Sequence, residues 1–296
     1  SHAMMLQTLM MMTALACGQE PSEIPSTPEH PLERVAVVGA SLTWGYGAHV
    51  PFRTPNYTHR ELITFADIME ATLADDFDVA YHGSDVLFFQ RPVRSGTSLA
   101  AKAKATQPTL LIAVDYLFWF GYGERDKEGR LHTGAESRLE LLEEGLALLS
   151  TFDVPIIVSD FPDMRPAIGR VLKTTHVPSP EELNALNARL RQWAEERDNV
   201  HVIAVAQLVE KLQKRAGFNV DELVFTDDDT ETMLQHDALH PTADGNLVIA
   251  QLVLRALDAQ SDAVDEKDDA PRSQRLVEET VGVRGGATVL RAEVGV

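Results

Sequence analysis

The stretch Val35-Ala36-Val37-Val38-Gly39-Ala40-Ser41-Leu42 decides the fold. Its first four residues are apolar and three of them are β-branched, which predicts a buried strand. Gly39 then permits a tight turn that leaves the Ser41 hydroxyl at the carboxyl end of that strand, where open α/β folds bind ligands. The alternative interpretation is a turn with no catalytic role, which has the same residue pattern. Thr43 stands where the G-x-S-x-G elbow of ordinary α/β-hydrolases carries glycine, so that class is disfavoured.

Further along the chain, short apolar runs alternate with segments of helical period. Such alternation indicates βαβ units and an α/β fold with a parallel sheet. The predicted strands beyond the first comprise residues 110–114, 154–158 and 200–204. The predicted helices comprise residues 61–73 and 135–149, a helix that begins at Pro180 after the cap Ser179, and residues 241–257.

The composition limits the function classes. The chain has 296 residues, 44% of them apolar, a single cysteine and a formal net charge of −19, which excludes a disordered chain, a collagen and a disulfide scaffold. The acidic balance also excludes a nucleic-acid partner, since such binders concentrate Lys and Arg on one face. We predict one domain at residues 34–259, preceded by a leader and tether at 1–33 and followed by a mostly disordered acidic tail at 260–296.

The leader resembles a bacterial lipoprotein signal. Ser1-His2-Ala3 resembles a cloning remnant, and residues 4–16 form an apolar run too short to span a bilayer. Cys17 follows as a candidate lipidation site, and four prolines in residues 20–31 fit a tether. No Lys or Arg precedes the run, and a mis-chosen start codon is the alternative. We expect a location in the bacterial envelope or periplasm, with membrane attachment only through the lipid, or otherwise secretion.

A second motif, Asp237-Ala238-Leu239-His240-Pro241, lies near the end of the predicted domain. An aspartate three residues before a histidine can accept the Nδ1 hydrogen and leave Nε2 to take a proton from serine. Zinc binding by His236 and His240 is a rival interpretation, but a residue before proline is pushed out of the α region, and no third ligand has convincing spacing. A surface motif without chemistry is the third reading.

Taken together, the two motifs resemble the SGNH/GDSL hydrolases. The block at residues 39–42 resembles that family's GDSL signature with alanine in place of aspartate, and residues 237–241 resemble its D-x-x-H-P block. Residues 94–97, Arg-Ser-Gly-Thr, resemble its second block. The resemblance spans roughly residues 34–257 and implies a three-layer α/β/α sandwich with a mainly parallel, five-stranded sheet.

The resemblance also implies roles for particular residues. Ser41 is the implied nucleophile, His240 the general base and acid, and Asp237 the residue that orients the histidine. The backbone N–H groups of Ser41 and Gly96 are the implied oxyanion donors. No cofactor and no metal are expected.

The third block departs from the family. Asp115 stands where the family carries an asparagine that donates to the oxyanion, and an ionised carboxylate only accepts hydrogen bonds. Three outcomes are open: Asp115 is protonated and donates, it points elsewhere, or the site has lost hydrolysis. We expect Asp115 to line the site, with a raised pKa if it faces the oxyanion.

Aromatic residues near both motifs are candidates for a substrate wall. Trp44, Tyr116 and Trp119 would line a pocket for an acyl or sugar group, and core packing is the alternative. The leading hypothesis is a serine esterase that acts on small acyl esters, including O-acetyl groups on glycans. A non-catalytic envelope lipoprotein that binds an acylated or glycan ligand, and an acyltransferase, are the rival hypotheses.

Overall fold

A computed structural model describes residues 32–54, 57–72, 77–123 and 134–262. The leader, Cys17, the tether and the tail beyond residue 262 lie outside the described residues, so the predictions for them stay predictions. No helix in these described ranges is long and apolar enough to cross a membrane.

The core of the fold is a five-stranded parallel sheet. The nine strands of the described ranges are β1 (Val35–Gly39), β2 (His49–Thr54), β3 (Tyr57–Leu62), β4 (Val79–Ser84), β5 (Leu110–Ile112), β6 (Ile156–Ser159), β7 (Val200–Ile203), β8 (Phe218–Val220) and β9 (Leu223–Phe225). The strand order in the sheet is β4-β1-β5-β6-β7, and every neighbouring pair is parallel. Two antiparallel hairpins of the described ranges, β2-β3 and β8-β9, lie outside the sheet.

Helices flank the sheet as the outer layers of a three-layer sandwich. The helices of the described ranges are α1 (Ser41–Trp44), α2 (Phe65–Thr72), α3 (Pro92–Ala105), α4 (Phe118–Tyr122), α5 (Ala135–Leu149), α6 (Pro180–Glu195), α7 (Val205–Lys214), α8 (Asp227–Glu231) and α9 (Ala243–Asp262), with short 3-10 turns at Phe88–Gln90 and Arg165–Ala167. The α5 helix packs against α3 and α6, whereas α2 packs against α9.

The structure confirms the predicted α/β class and most predicted elements. The α5 helix has the predicted bounds, and the hydroxyl of Ser179 caps α6 together with the side chain of Glu182. The helix predicted from residue 61 begins at Phe65, because residues 61 and 62 end a hairpin strand. The last helix begins at Ala243 and not at residue 241, because residues 236–240, the histidine loop, form turns before it.

The β4 strand and the α3 helix have no apolar run or clear stripe that predicts them. The β4 strand lies at the edge of the sheet and contains His82, Gly83 and Ser84, so it lacks the continuous apolar run of a central strand. The α3 helix is built largely from small residues and lysines. The α7 helix does have an apolar face with helical spacing, so its omission from the predicted helices is an error of the prediction.

The sheet order determines which loops form the site. Because β5 pairs directly with β1, the residues that follow these two strands meet at the carboxyl edge of the sheet. Asp115 therefore lies beside Ser41, although the two are far apart in the sequence.

Candidate active site

The backbone of residues 39–43, the serine turn, packs closely against the carboxylate of Asp115. Ser41 begins α1 directly after Gly39 and Ala40. A Cβ atom on Gly39 would lie 2.0 Å from Oδ1 of Asp115 and 2.2 Å from Oγ1 of Thr43. Glycine is therefore required here because the carboxylate of Asp115 occupies the space that a side chain would take.

Asp115 holds this turn through both of its carboxylate oxygens. Oδ1 accepts hydrogen bonds from the N–H of Ala40 at 3.0 Å and the hydroxyl of Thr43 at 2.6 Å. Oδ2 accepts from the N–H of Leu42 at 2.8 Å and, more weakly, from that of Thr43 at 3.4 Å. Burial raises the pKa of Asp115, and these hydrogen bonds offset part of that rise. Four donors thus converge on one buried carboxylate.

This arrangement does not fit the oxyanion-donor role considered for Asp115. All four of its hydrogen bonds use it as an acceptor, and both oxygens face the serine turn. It points elsewhere, which is one of the three outcomes left open by the sequence. Of the four backbone N–H groups in residues 40–43, only that of Ser41 does not donate to Asp115. This N–H has no acceptor among the residues that the structure describes.

The histidine loop folds back on itself as the D-x-x-H spacing predicts. Oδ1 of Asp237 accepts from the N–H groups of Leu239 and His240, each at 2.9 Å, and Oδ2 lies 2.7 Å from Nδ1 of His240. Ala238 adopts a φ of 61°, which closes the turn. Burial opposes ionisation of Asp237, but the hydrogen bonds from His240 and Leu239 outweigh it, so its pKa is lowered.

Tertiary contacts join the serine turn to the histidine loop. Nε2 of His240 lies 2.9 Å from Oγ of Ser41, and the side chain of His240 is 11% exposed. The ring of Tyr46 packs on the imidazole with centroids 4.4 Å apart. The side-chain amide of Gln235 donates to the carbonyl oxygens of Tyr46 at 2.7 Å and Pro241 at 2.8 Å. This amide thereby fixes the distance between the two loops.

Such a chain of contacts can move a proton. Asp237 fixes the orientation of His240, and Nε2 of His240 is placed to accept the hydroxyl proton of Ser41. Residues with this geometry can activate a serine for nucleophilic attack on a carbonyl carbon.

Gly96 is buried within the α3 helix. It is in the interior of α3, where a Cβ atom would meet Cζ of Phe120 at 2.7 Å and the hydroxyl of Tyr116 at 2.9 Å. Its carbonyl oxygen accepts from the hydroxyl of Tyr116 at 2.8 Å. The predicted oxyanion role of Gly96 does not fit this position, because the residue packs against aromatic rings within a helix.

Two of the three predicted pocket aromatics belong to the core. Tyr116 is fully buried and stacks on Phe120, and Trp119 is buried against Phe89 and His176. The core-packing alternative is therefore correct for both. Trp44 is 38% exposed beside Tyr46, at the rim of the site, and does not line the cavity described below.

The zinc alternative is not supported by the local structure. Residues 236–240 form turns rather than a helix, so His236 and His240 do not share a helical face, and Nδ1 of His240 is already occupied by Asp237. Within the described part of the chain, no group of three His, Cys, Asp or Glu side chains could hold a metal ion.

The chain matches no protein-family model and no curated protein sequence. Among solved structures, a candidate acylhydrolase from Bacteroides fragilis superposes with a TM-score of 0.47 at 14% identity, covering 80% of this chain and 92% of that one. A gut microbial diltiazem-metabolizing enzyme superposes with a TM-score of 0.46 at 14% identity, covering 76% of this chain and 46% of that one. The chain thus spans less than half the length of the latter enzyme.

Sequence reasoning missed two groups of residues at the site. The first comprises Thr43 and Gln235, which hold the two loops in place. Neither belongs to a recognisable pattern, because each acts on a partner that only the tertiary structure brings near. The second is an apolar face of α7, spaced by three and four residues, that lines a cavity beside Ser41. Its helical periodicity is a signal that could have been found.

Proposed function

We propose that this protein is a serine esterase of the SGNH/GDSL type that hydrolyses small acyl esters through an acyl-serine intermediate. The observation that carries the proposal is the relay in which Ser41 Oγ lies 2.9 Å from His240 Nε2 and His240 Nδ1 lies 2.7 Å from Asp237. Both distances allow hydrogen bonding, and the relay lies at the carboxyl edge of a parallel sheet.

In the proposed reaction, His240 takes the hydroxyl proton of Ser41 as Oγ attacks the ester carbonyl. The tetrahedral intermediate collapses when the protonated His240 gives that proton to the departing alkoxide, which leaves as an alcohol. Water then attacks the acyl-serine and gives a proton to His240, which returns it to Oγ as the carboxylic acid leaves. Asp237 stays ionised and holds the imidazole ring in place throughout.

The backbone N–H of Ser41 is the proposed donor to the oxyanion. Asp115 supports this role indirectly, because its four hydrogen bonds fix the turn that presents this N–H. A preorganised donor of this kind commonly contributes about 10²–10³-fold to the rate.

The non-catalytic alternative depended on Asp115 as a charge opposing the oxyanion. Four hydrogen-bond donors surround that carboxylate, so the presence of Asp115 does not favour a site that has lost catalytic activity. Acyl transfer shares the acyl-serine and differs in the nucleophile that intercepts it. Acylated glycans as substrates and an envelope location with lipid on Cys17 belong to this proposal as expectations from the sequence.

A fluorophosphonate probe and p-nitrophenyl acetate test the proposal. We expect labelling and turnover in the native protein, and a loss of turnover by about 10⁴–10⁶-fold in Ser41→Ala. Ser98→Ala is the matched control, because Ser98 is exposed on α3. A native protein that is neither labelled nor active between about pH 5 and 9, the range over which an ordinary histidine titrates, would refute esterase function in favour of ligand binding.

A further inference from the structure

An apolar cavity opens directly beside Ser41 and His240. It has a volume of about 50 Å³, is partly open to the surface, and lies between the carboxyl ends of β5 and β6 and the helices α7 and α9. One face of α7 contributes four of its lining side chains: Val205, Leu208, Val209 and Leu212.

Most of the side chains that line the cavity are apolar. Besides Ser41 and His240, its polar lining side chains are Asp115 and Ser159. The hydroxyl of Ser159 donates to the carbonyl oxygen of Val114 at 2.8 Å, and both oxygens of Asp115 already accept from the serine turn. An occupant must therefore be apolar along its length and carry its polar group at Ser41. An acyl chain with its ester carbonyl at Ser41 meets both requirements.

The volume of the cavity limits the length of that chain. A dry apolar cavity of about 150 Å³ holds benzene, which has six carbons, so a cavity of about 50 Å³ has room for about two carbons. An acyl chain with about two carbons beyond the carbonyl therefore fills the cavity, whereas an acetyl group leaves about half of it empty.

We propose that this cavity binds the acyl group, and that the preferred substrates are esters of unbranched acids with about three carbons. The inference rests on the proposed esterase function and adds the class of acyl group to it. The proposal leaves the alcohol moiety outside the cavity, near the exposed rings of Trp44 and Tyr46, since Tyr46 packs on His240.

A chain-length series of p-nitrophenyl esters tests this inference. Each methylene that fits an apolar pocket changes kcat/KM by about tenfold or more. We expect kcat/KM for the propionate ester to exceed that for the acetate ester by about tenfold, and the octanoate ester to fall below propionate by at least a similar factor.

Two variants of α7 move the expected optimum in opposite directions. Leu208→Ala lengthens the cavity and should shift the optimum toward hexanoate, whereas Val209→Leu fills it and should shift the optimum toward acetate. Leu190→Ala is the matched control, because this leucine is also buried, lies in α6 and does not line the cavity. The control should keep the propionate optimum of the native protein even if it lowers stability.

The outcomes separate this inference from the proposed function. Turnover with a flat chain-length profile, or with acetate as the best substrate, would overturn the acyl-pocket assignment and leave the esterase standing. The same profile in Leu208→Ala and in Leu190→Ala would also overturn it. If no ester is turned over and no probe is attached to Ser41, the proposed function fails and the acyl pocket with it.

Discussion

Replacement of Asp115 by asparagine distinguishes a buried acceptor from a charge that opposes the oxyanion. Asparagine has one acceptor oxygen and one NH₂ group, so only one of the two carboxylate positions can be reproduced. In the native protein the N–H of Leu42 donates to Oδ2 of Asp115 at 2.8 Å. If the amide oxygen of the variant keeps the bonds from Ala40 and Thr43 Oγ1, its NH₂ group takes the place of Oδ2 and faces that N–H. Two donors then oppose each other at a buried position.

The expected cost can be worked out from these contacts. Loss of one hydrogen bond to a charged acceptor costs about 1.5–3 kcal/mol, and an unsatisfied buried donor costs about 1–3 kcal/mol. We therefore expect Asp115→Asn to lower the free energy of unfolding by about 3–5 kcal/mol. We also expect kcat for p-nitrophenyl acetate to fall by about 10²-fold, since a displacement near 1 Å has that effect.

Urea unfolding and steady-state kinetics of the folded protein measure these two effects separately. Asp160→Asn is the matched control, because Asp160 follows the neighbouring strand β6 and its Oδ1 accepts from the N–H of Ala206 at 2.7 Å. An amide oxygen can preserve that bond, so the loss should stay within about 1 kcal/mol. An Asp115→Asn variant as stable as the native protein and faster would refute this reasoning and restore Asp115 as a charge beside the oxyanion.

Three further predictions follow from the contacts around the site. Gln235→Ala should lower kcat by about tenfold with little change in KM, because the amide that ties the two loops together is lost, and steady-state kinetics measure both constants. Gly96→Ala should lower the free energy of unfolding by about 1–3 kcal/mol, because the new methyl group meets Phe120, and should leave kcat unchanged. The pKa of Asp237 is lowered in the folded state, so its stabilising effect is complete above its unfolded value and is lost as the pH falls below about 4. Asp237→Asn should make urea unfolding less dependent on pH in that range.

A control or a contradicting outcome accompanies each of these predictions. Gln192→Ala removes an amide that bonds the exposed Glu196 and should leave kcat unchanged. A Gly96→Ala variant that keeps its stability but loses about 10²-fold in kcat would return Gly96 to the oxyanion. An Asp237→Asn variant with the same acid dependence as the native protein would show that other carboxylates dominate that pH range.

The sequence by itself determined the class of the fold and the local geometry of the two motifs. The apolar run before Gly39 predicts a strand inside the sheet, because a strand buried on both faces is apolar throughout. The spacing of apolar residues in 135–149 predicts the α5 helix, because a helix buries one face. The D-x-x-H spacing likewise determines the bond between Asp237 and His240, since three residues of chain are enough to close it.

Only the tertiary structure decided which residues share the site. The order of the strands brings Asp115 next to residues 40–43, where it accepts hydrogen bonds from the backbone. The packing of α3 places Gly96 in the core, against Phe120 and Tyr116. The cavity beside Ser41 depends on α7, which folds against the sheet from a separate part of the chain. Such contacts join residues that are distant in sequence, and no local pattern of polarity or spacing specifies which distant side chains will meet.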